Sequence, residues 1–218
     1  MKTLIPIIVL LFAVSVFTQE KPKATLVDEF GSIGCDDLLA RIDNFSIQLS
    51  NNPSAQGLVV VSGSNANLIK KLDLEVLFTS GAIQSRMDRS RIRLIRGAEV
   101  GGAKMRFWLV PTGAGDPELT TSWDLTIPRG TRPFPFFGDT DSICSYPTVH
   151  KYIKEILAAN PKTILNIVIS TGTSKEFQHL RRETVDLYGR EYSDRLRFFR
   201  VRNANPDSYR EYWLVPKN

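Results

Sequence analysis

The chain has 218 residues, 42% of them hydrophobic and 23% charged, with a formal net charge of +5. That balance is the composition of globular protein and excludes disorder and collagen. The small basic excess suits an anionic partner and suits solubility equally well.

Residues 1–18 read as a secretion signal. Lys2 gives the positive start, Leu4 to Val14 is apolar apart from Pro6, and the small residues Ala13, Ser15 and Thr18 follow. The apolar run is shorter than the roughly 20 residues that span a bilayer, so cleavage is expected rather than anchorage. The product would begin near Gln19, without a membrane attachment, in a periplasmic or extracellular space. Export argues against a nucleic-acid partner.

A first unit runs over residues 24–111. Thr25–Phe30 fits a strand. Asp36 to Leu49 fits a helix, with Leu38, Ile42, Phe45 and Leu49 on one face, Leu39 beside them, and Asp36 and Asp37 in the first turn. Asn51-Asn52-Pro53 stops it. The apolar run Gly57–Ser62 fits a strand covered on both faces, and a less regular helix follows from Asn67 to Thr79. Arg91–Ile95 alternates as a half-buried strand, residues 98–103 turn, and Met105–Val110 closes the unit.

Residues 112–135 form a connection; from Pro111 to Pro135 there are five prolines and three glycines. Within it Trp123–Ile127 alternates as an added edge strand would. The second unit, 136–216, repeats the order of the first. Ser145 is a candidate N-cap with Pro147 in the first turn. Val149, Ile153, Ile156 and Leu157 give the helix face, and Asn160-Pro161 ends it. Thr163–Ser170 is the strand, Ser174–Tyr188 the second helix, and Arg195–Arg202 and Tyr209–Val215 the last strands.

The two units are copies. Trp108-Leu109-Val110-Pro111 returns as Trp213-Leu214-Val215-Pro216, Asn52-Pro53 as Asn160-Pro161, and Cys35 as Cys144. Phe30-Gly31-Ser32-Ile33-Gly34-Cys35 returns as Phe137-Gly138 and Ser142-Ile143-Cys144 around an Asp-Thr-Asp insertion. The expected fold is therefore α+β: two tandem two-layer domains, each β-α-β-α-β-β, with a mixed sheet and two helices on one face.

This order of elements resembles the OmpA C-terminal domain, a peptidoglycan-associating type. That family carries a helix written Arg-x-x-x-Val-x-x-Tyr, and Arg181, Val185 and Tyr188 match it; Lys70, Leu74 and Leu77 are looser counterparts in the first unit. The family's wall-binding loop carries Thr-Asp followed by Gly. Here the corresponding loops read Ser62-Gly63-Ser64-Asn65 and Thr171-Gly172-Thr173-Ser174, without the acid. The resemblance implies an envelope protein that associates with peptidoglycan or another anionic polymer.

Those two loops are the candidate binding sites: Ser62, Gly63 and Ser64, and Thr171, Gly172 and Thr173. Each is small and polar and feeds a helix N-terminus, where unpaired N–H groups hold anions. Arg91, Arg93 and Arg96, with Arg195, Arg197, Arg200 and Arg202, decorate equivalent strands. Alternation points Arg91 and Arg93 to one face, and likewise Arg195 and Arg197, where they could grip carboxylate or phosphate. Cys35 and Cys144 either bridge the two units or pack separately as small apolar residues.

Nothing in the chain spells out catalysis. His150 and His179 lie on helices without counterparts in the other copy, and no nucleophile elbow or metal-ligand spacing occurs. Asp139 and Asp141 lack the rest of a calcium loop. The sequence reads as a non-enzymatic binding module without a cofactor. Its partner is an anionic wall component or, in the rival reading, an envelope protein that it docks as a scaffold.

Overall fold

A computed structural model describes residues 21–97, 101–117, 122–138, 149–203 and 208–217. It contains two mixed four-stranded sheets with one topology. In the first, β1 (Thr25–Phe30), β2 (Gln56–Ser62), β3 (Ile92–Gly97) and β4 (Lys104–Val110) lie in the order β1-β4-β2-β3. In the second, β5 (Phe134–Gly138), β6 (Ile164–Thr171), β7 (Leu196–Arg202) and β8 (Tyr209–Val215) lie in the order β5-β8-β6-β7. The closing strand of each copy runs antiparallel to both its neighbours, and the third strand runs parallel to the second at one edge. The expected α+β class and order of elements are those observed; β5 begins at Phe134, inside the segment read as connection.

The strand registers align the copies. Trp108 lies opposite Leu58 and Trp213 opposite Asn166; Ser62 lies opposite Lys104 and Ser170 opposite Tyr209. Ser170, not Thr171, is thus the counterpart of Ser62, and β6 runs one residue longer than β2.

Helix α1 (Cys35–Asn51) buries the face that its periodicity marks: Leu38, Leu39, Ile42, Phe45 and Leu49. Its acidic first turn complements the helix dipole. In the second copy the described part of α4 (Val149–Ala159) buries Val149, Tyr152, Ile153, Ile156 and Leu157; Ser145 and Pro147 lie outside the described residues. Helix α5 (Ser174–Tyr188) buries Thr184 and Tyr188 and otherwise keeps a wet surface.

Helix α2 (Leu68–Phe78) is different. A 3₁₀ turn at Asn65–Asn67 leads into it and the short α3 (Gly81–Gln84) follows it. Leu68, Lys71, Leu72, Leu74, Glu75, Val76, Leu77 and Phe78 are all buried. A helix covered on most sides shows no clean apolar stripe, which is why its sequence looks irregular. Asp73 is half-buried on the same helix, and burial pushes its carboxyl up to about 6. A carboxyl raised on folding favours the native state below its unfolded pKa and loses that benefit as pH rises through the folded value. Asp73→Asn is therefore expected to stabilise the protein at pH 7 by about 1–3 kcal/mol, with no gain at pH 3.5. Urea unfolding at the two pH values measures this, and an equal effect at both would refute it.

Each sheet has a helix-covered face and an outer face. In the first copy Val59, Val61, Met105, Phe107 and Leu109 join the main core, whereas Leu58, Val60 and Val110 form a separate cluster on the other side. The main core is continuous across both copies, from Phe30 to Leu214.

Residues 122–128 explain part of that continuity. Trp123, Leu125 and Ile127 are buried while Ser122, Asp124 and Thr126 are exposed. The alternation expected from sequence is present, but the segment joins neither sheet and is not an edge strand. It is a strap held at both ends. Trp123 Nε1 donates to the Val61 carbonyl of β2 at 2.9 Å. At the other end, the Asn160 side chain accepts from the Ile127 N–H at 2.8 Å and donates to the Leu125 carbonyl at 2.8 Å.

Cys35, the first residue of α1, is disulfide-bonded. The chain's other cysteine, Cys144, lies outside the described residues. Cys35 also packs against the main core at the start of α1. No helix among the described residues is long and apolar enough to cross a membrane.

Candidate functional site

The two Ser/Thr-Gly loops, alike in composition, have different fates. In the first copy the loop is covered. Gly63 adopts φ +143°, and a Cβ there would come within 2.9 Å of Ala103 Cα and the Gly102 carbonyl. Only glycine takes that backbone with the β3–β4 turn so close. The Ser64 N–H donates to the Gly101 carbonyl, Asn67 Nδ2 donates to Ser64 Oγ and to that same carbonyl, and Lys71 Nζ donates to the Gly63 carbonyl. Ser62 is fully buried. The Ser62–Ser64 part of the loop is held to the turn, whereas Asn65 at its end borders a cleft of about 280 Å³ shared with Arg129 and Phe134.

The second loop opens. Gly172, Thr173, Ser174, Arg200 and Arg202 line a shallow cleft of about 560 Å³ at the N-terminus of α5. Thr173 caps the helix, its Oγ1 accepting from the Glu176 N–H at 3.2 Å. The Glu176 carboxylate accepts from the hydroxyls of Thr171 and Ser208. Those hydrogen bonds, Ser208 first, hold its pKa below the usual carboxylate range. Arg200 Nη1 donates to Ser174 Oγ at 2.6 Å and its Nη2 to the Gly172 carbonyl at 3.2 Å. The cleft thus combines a helix N-terminus with two exposed arginines, an arrangement suited to a carboxylate or phosphate.

The arginines singled out by strand alternation go elsewhere. Arg195 precedes β7 in a 3₁₀ turn, and Nη1 donates to the carbonyls of Leu157 and Asn160. Arg91, its counterpart, bonds the carbonyls of Leu49, Asn52 and Ala55 from one Nη2. Both cap the C-terminal end of the first helix of their copy, where a cation meets orphan carbonyls. Arg197 donates to the carbonyls of Asp194 and Leu196 from the outer sheet face. Arg181 lies two turns into α5, its guanidinium 5.4 Å from the Phe198 ring centroid, and does not line the cleft. Arg200 and Arg202, at the far end of the same strand, are the pair that the loop meets.

A second cleft of about 400 Å³ lies beside the strap, with Arg129, Lys162 and Lys217 around Ile127, Pro128, Pro161 and Pro216. It has cations but no helix N-terminus.

A polar cluster between the copies escaped sequence reasoning. Arg96 makes a two-pronged bond to Glu75, Nε to Oε2 at 2.9 Å and Nη2 to Oε1 at 2.8 Å. Tyr152 of α4 donates to Glu75 Oε1 at 3.0 Å. Burial, then the neighbouring Glu75 charge, pushes the Tyr152 phenol above its usual range. Lys71 is fully buried, 4.4 Å from the Trp123 ring centroid, and the Arg96 guanidinium lies 4.7 Å from the same centroid. Burial pulls the Lys71 ammonium below its usual range, against the pull of Asp124. Glu75, Lys71 and Tyr152 are buried while Arg96 reaches the surface, and the Tyr152–Glu75 bond joins the copies.

The two histidines meet different partners. His150 Nδ1 lies 3.0 Å from the Tyr188 hydroxyl, and its ring meets Tyr188 and Tyr212 edge-on. His179 meets Glu183 one turn away on the exposed surface of α5. Among the described residues no group of His, Cys, Asp and Glu could hold a metal ion; Asp139 and Asp141 lie outside them. Compared with known proteins, the chain matches no family model and no curated protein.

Proposed function

We propose that this chain is an exported, non-enzymatic cell-envelope protein that holds an anionic wall component, such as peptidoglycan, in the cleft at the N-terminus of α5. The observation that carries the reading is the convergence of the Gly172–Ser174 loop with Arg200 and Arg202 at a helix N-terminus. A leader-like start and a disulfide-bonded Cys35 support export. In this reading the site lies in the second copy, because Ser62–Ser64 of the first is held against the 101–103 turn. The OmpA-like reading of the fold is part of this proposal and rests on the order of elements and the Arg181-Val185-Tyr188 helix.

Sedimentation with purified peptidoglycan at low salt tests it. The exported chain is expected in the pellet and is expected to be released by high salt. Reversing both cleft arginines, Arg200→Glu with Arg202→Glu, should cut retention about tenfold, whereas Arg182→Glu on the exposed side of α5 should change it little. Full recovery in the supernatant at low salt would end this reading. A scaffold reading has its own observation in its favour, an exposed apolar sheet face in the second copy.

A further inference from the structure

The outer faces of the two sheets, matched strand for strand, are finished differently. In the first copy the chain leaving β4 turns at Pro111–Ala114, with Gly113 at φ +85°, and crosses its own sheet. Thr112 Oγ1 donates to the Ser54 carbonyl, and Ala114 packs on Leu58, Val60 and Val110. Asp116 accepts two bonds from Arg93 on the edge strand β3, at 2.6 and 3.1 Å. Under this segment Leu58 and Val60 have no exposed surface.

In the second copy no described segment crosses the corresponding face. Asn166 and Val168, in the positions of Leu58 and Val60, are half-buried. Phe199, in the position of Ile95, is 49% exposed, and Val201 and Tyr209 beside it are 48% and 39% exposed. Arg197 occupies the position of Arg93. It bonds two backbone carbonyls and, among the described residues, meets no carboxylate.

We infer that this face is a docking surface for an extended segment of a partner protein that lies across β8, β6 and β7 and presents a carboxylate to Arg197. The protein itself supplies the precedent: residues 111–116 cover the equivalent face in this way, with a small apolar residue on the sheet and an acid on the matching arginine. Charge complementarity names the chemistry of the occupant, and Phe199, Val201 and Tyr209 supply the apolar area that it covers. A second copy fits less well. It would set Arg197 against an identical face on which Glu211 already accepts from Trp213 Nε1 at 3.1 Å. This inference goes beyond the wall-binding reading and does not depend on it.

The probe is the peptide Val-Pro-Thr-Gly-Ala-Gly-Asp-Pro, the sequence of residues 110–117, titrated into ¹⁵N-labelled exported chain. Amide shift changes are expected at Asn166, Val168, Arg197, Phe199 and Val201. Arg197→Glu, or a peptide with lysine in place of the aspartate, should weaken binding about tenfold, and combining the two should restore it. The amide spectrum also shows whether each variant is folded. No shift on this face with millimolar peptide would overturn the proposal, as would equal affinity for the acidic and lysine peptides. Shifts centred on Gly172 and Arg202 would reduce the peptide to a ligand of the anion cleft. A concentration-dependent dimer abolished by Phe199→Asp would give the face to a second copy instead.

Discussion

Replacing Glu75 by alanine is expected to lower the unfolding free energy by about 2–4 kcal/mol. The loss comes less from a missing attraction than from what remains behind. Glu75 is 5% exposed and answers both the Arg96 guanidinium and the Tyr152 hydroxyl. Without it a partly buried cation keeps only the more distant Glu155 carboxylate, 3.9 Å away, and a buried phenol loses its carboxylate. Breaking a buried pair from one side costs about 3–5 kcal/mol. The Arg96 side chain keeps 27% of its surface in water, which lowers the expected figure towards the bottom of that range. The double variant Glu75→Met with Arg96→Met should recover most of the loss, because an apolar pair of similar volume removes both charges at once. Urea unfolding of the single and double variants at pH 7 gives both numbers. A Glu75→Ala cost below about 0.5 kcal/mol would mean that the pair does not hold the copies together.

Trp123→Ala is expected to cost about 3–5 kcal/mol, the range for truncating a large buried aromatic residue. The indole is 3% exposed and does three things at once. It fills space between the copies, it donates to the Val61 carbonyl, and its ring lies within 5 Å of both Lys71 and Arg96. Removing it leaves the fully buried Lys71 without its aromatic neighbour. Trp123→Phe separates these roles. Phenylalanine keeps most of the packing but cannot donate to Val61, so about 1–2 kcal/mol of the loss should remain. Thermal or urea unfolding decides it, and equal stability of Trp123→Ala and the parent would remove the strap from any account of stability.

What could be read in the sequence was whatever is written locally. The spacing of Leu38, Ile42, Phe45 and Leu49 gives a helix buried from one side, and α1 has that burial. The same rule misreads α2, since a helix wrapped by its surroundings has no wet face to set the period. Alternation in Trp123–Ile127 correctly marks which side chains go inward. It cannot tell a strand paired through its backbone from a chain pinned through its side chains, so the strap resembled an edge strand.

The candidate site shows the same limit. The Ser/Thr-Gly loops were legible as strand-to-helix turns, yet nothing within either loop records that the 101–103 turn packs on Gly63 while a cleft lies beside Gly172. Arg195 was legible as a conspicuous cation, but it reaches a helix end 35 residues earlier in the chain. Residue type was therefore visible and destination was not. Glu75 and Tyr152, 77 positions apart, carry no sequence signal of their meeting. Their one clue was that the charges of α2, Lys70, Lys71, Asp73 and Glu75, do not gather on one face of the helix.

The strap also fixes an order of events. The chain is made from its N-terminus, so every element of the first copy exists before Tyr152 and Asn160 do. Until they arrive, Glu75 of α2 lacks the Tyr152 hydroxyl and the strap lacks the Asn160 side chain that pins its far end. The later copy thus supplies the groups that close this flank of the first. Cutting the chain after Pro111 should leave a sheet with one helix too apolar for water.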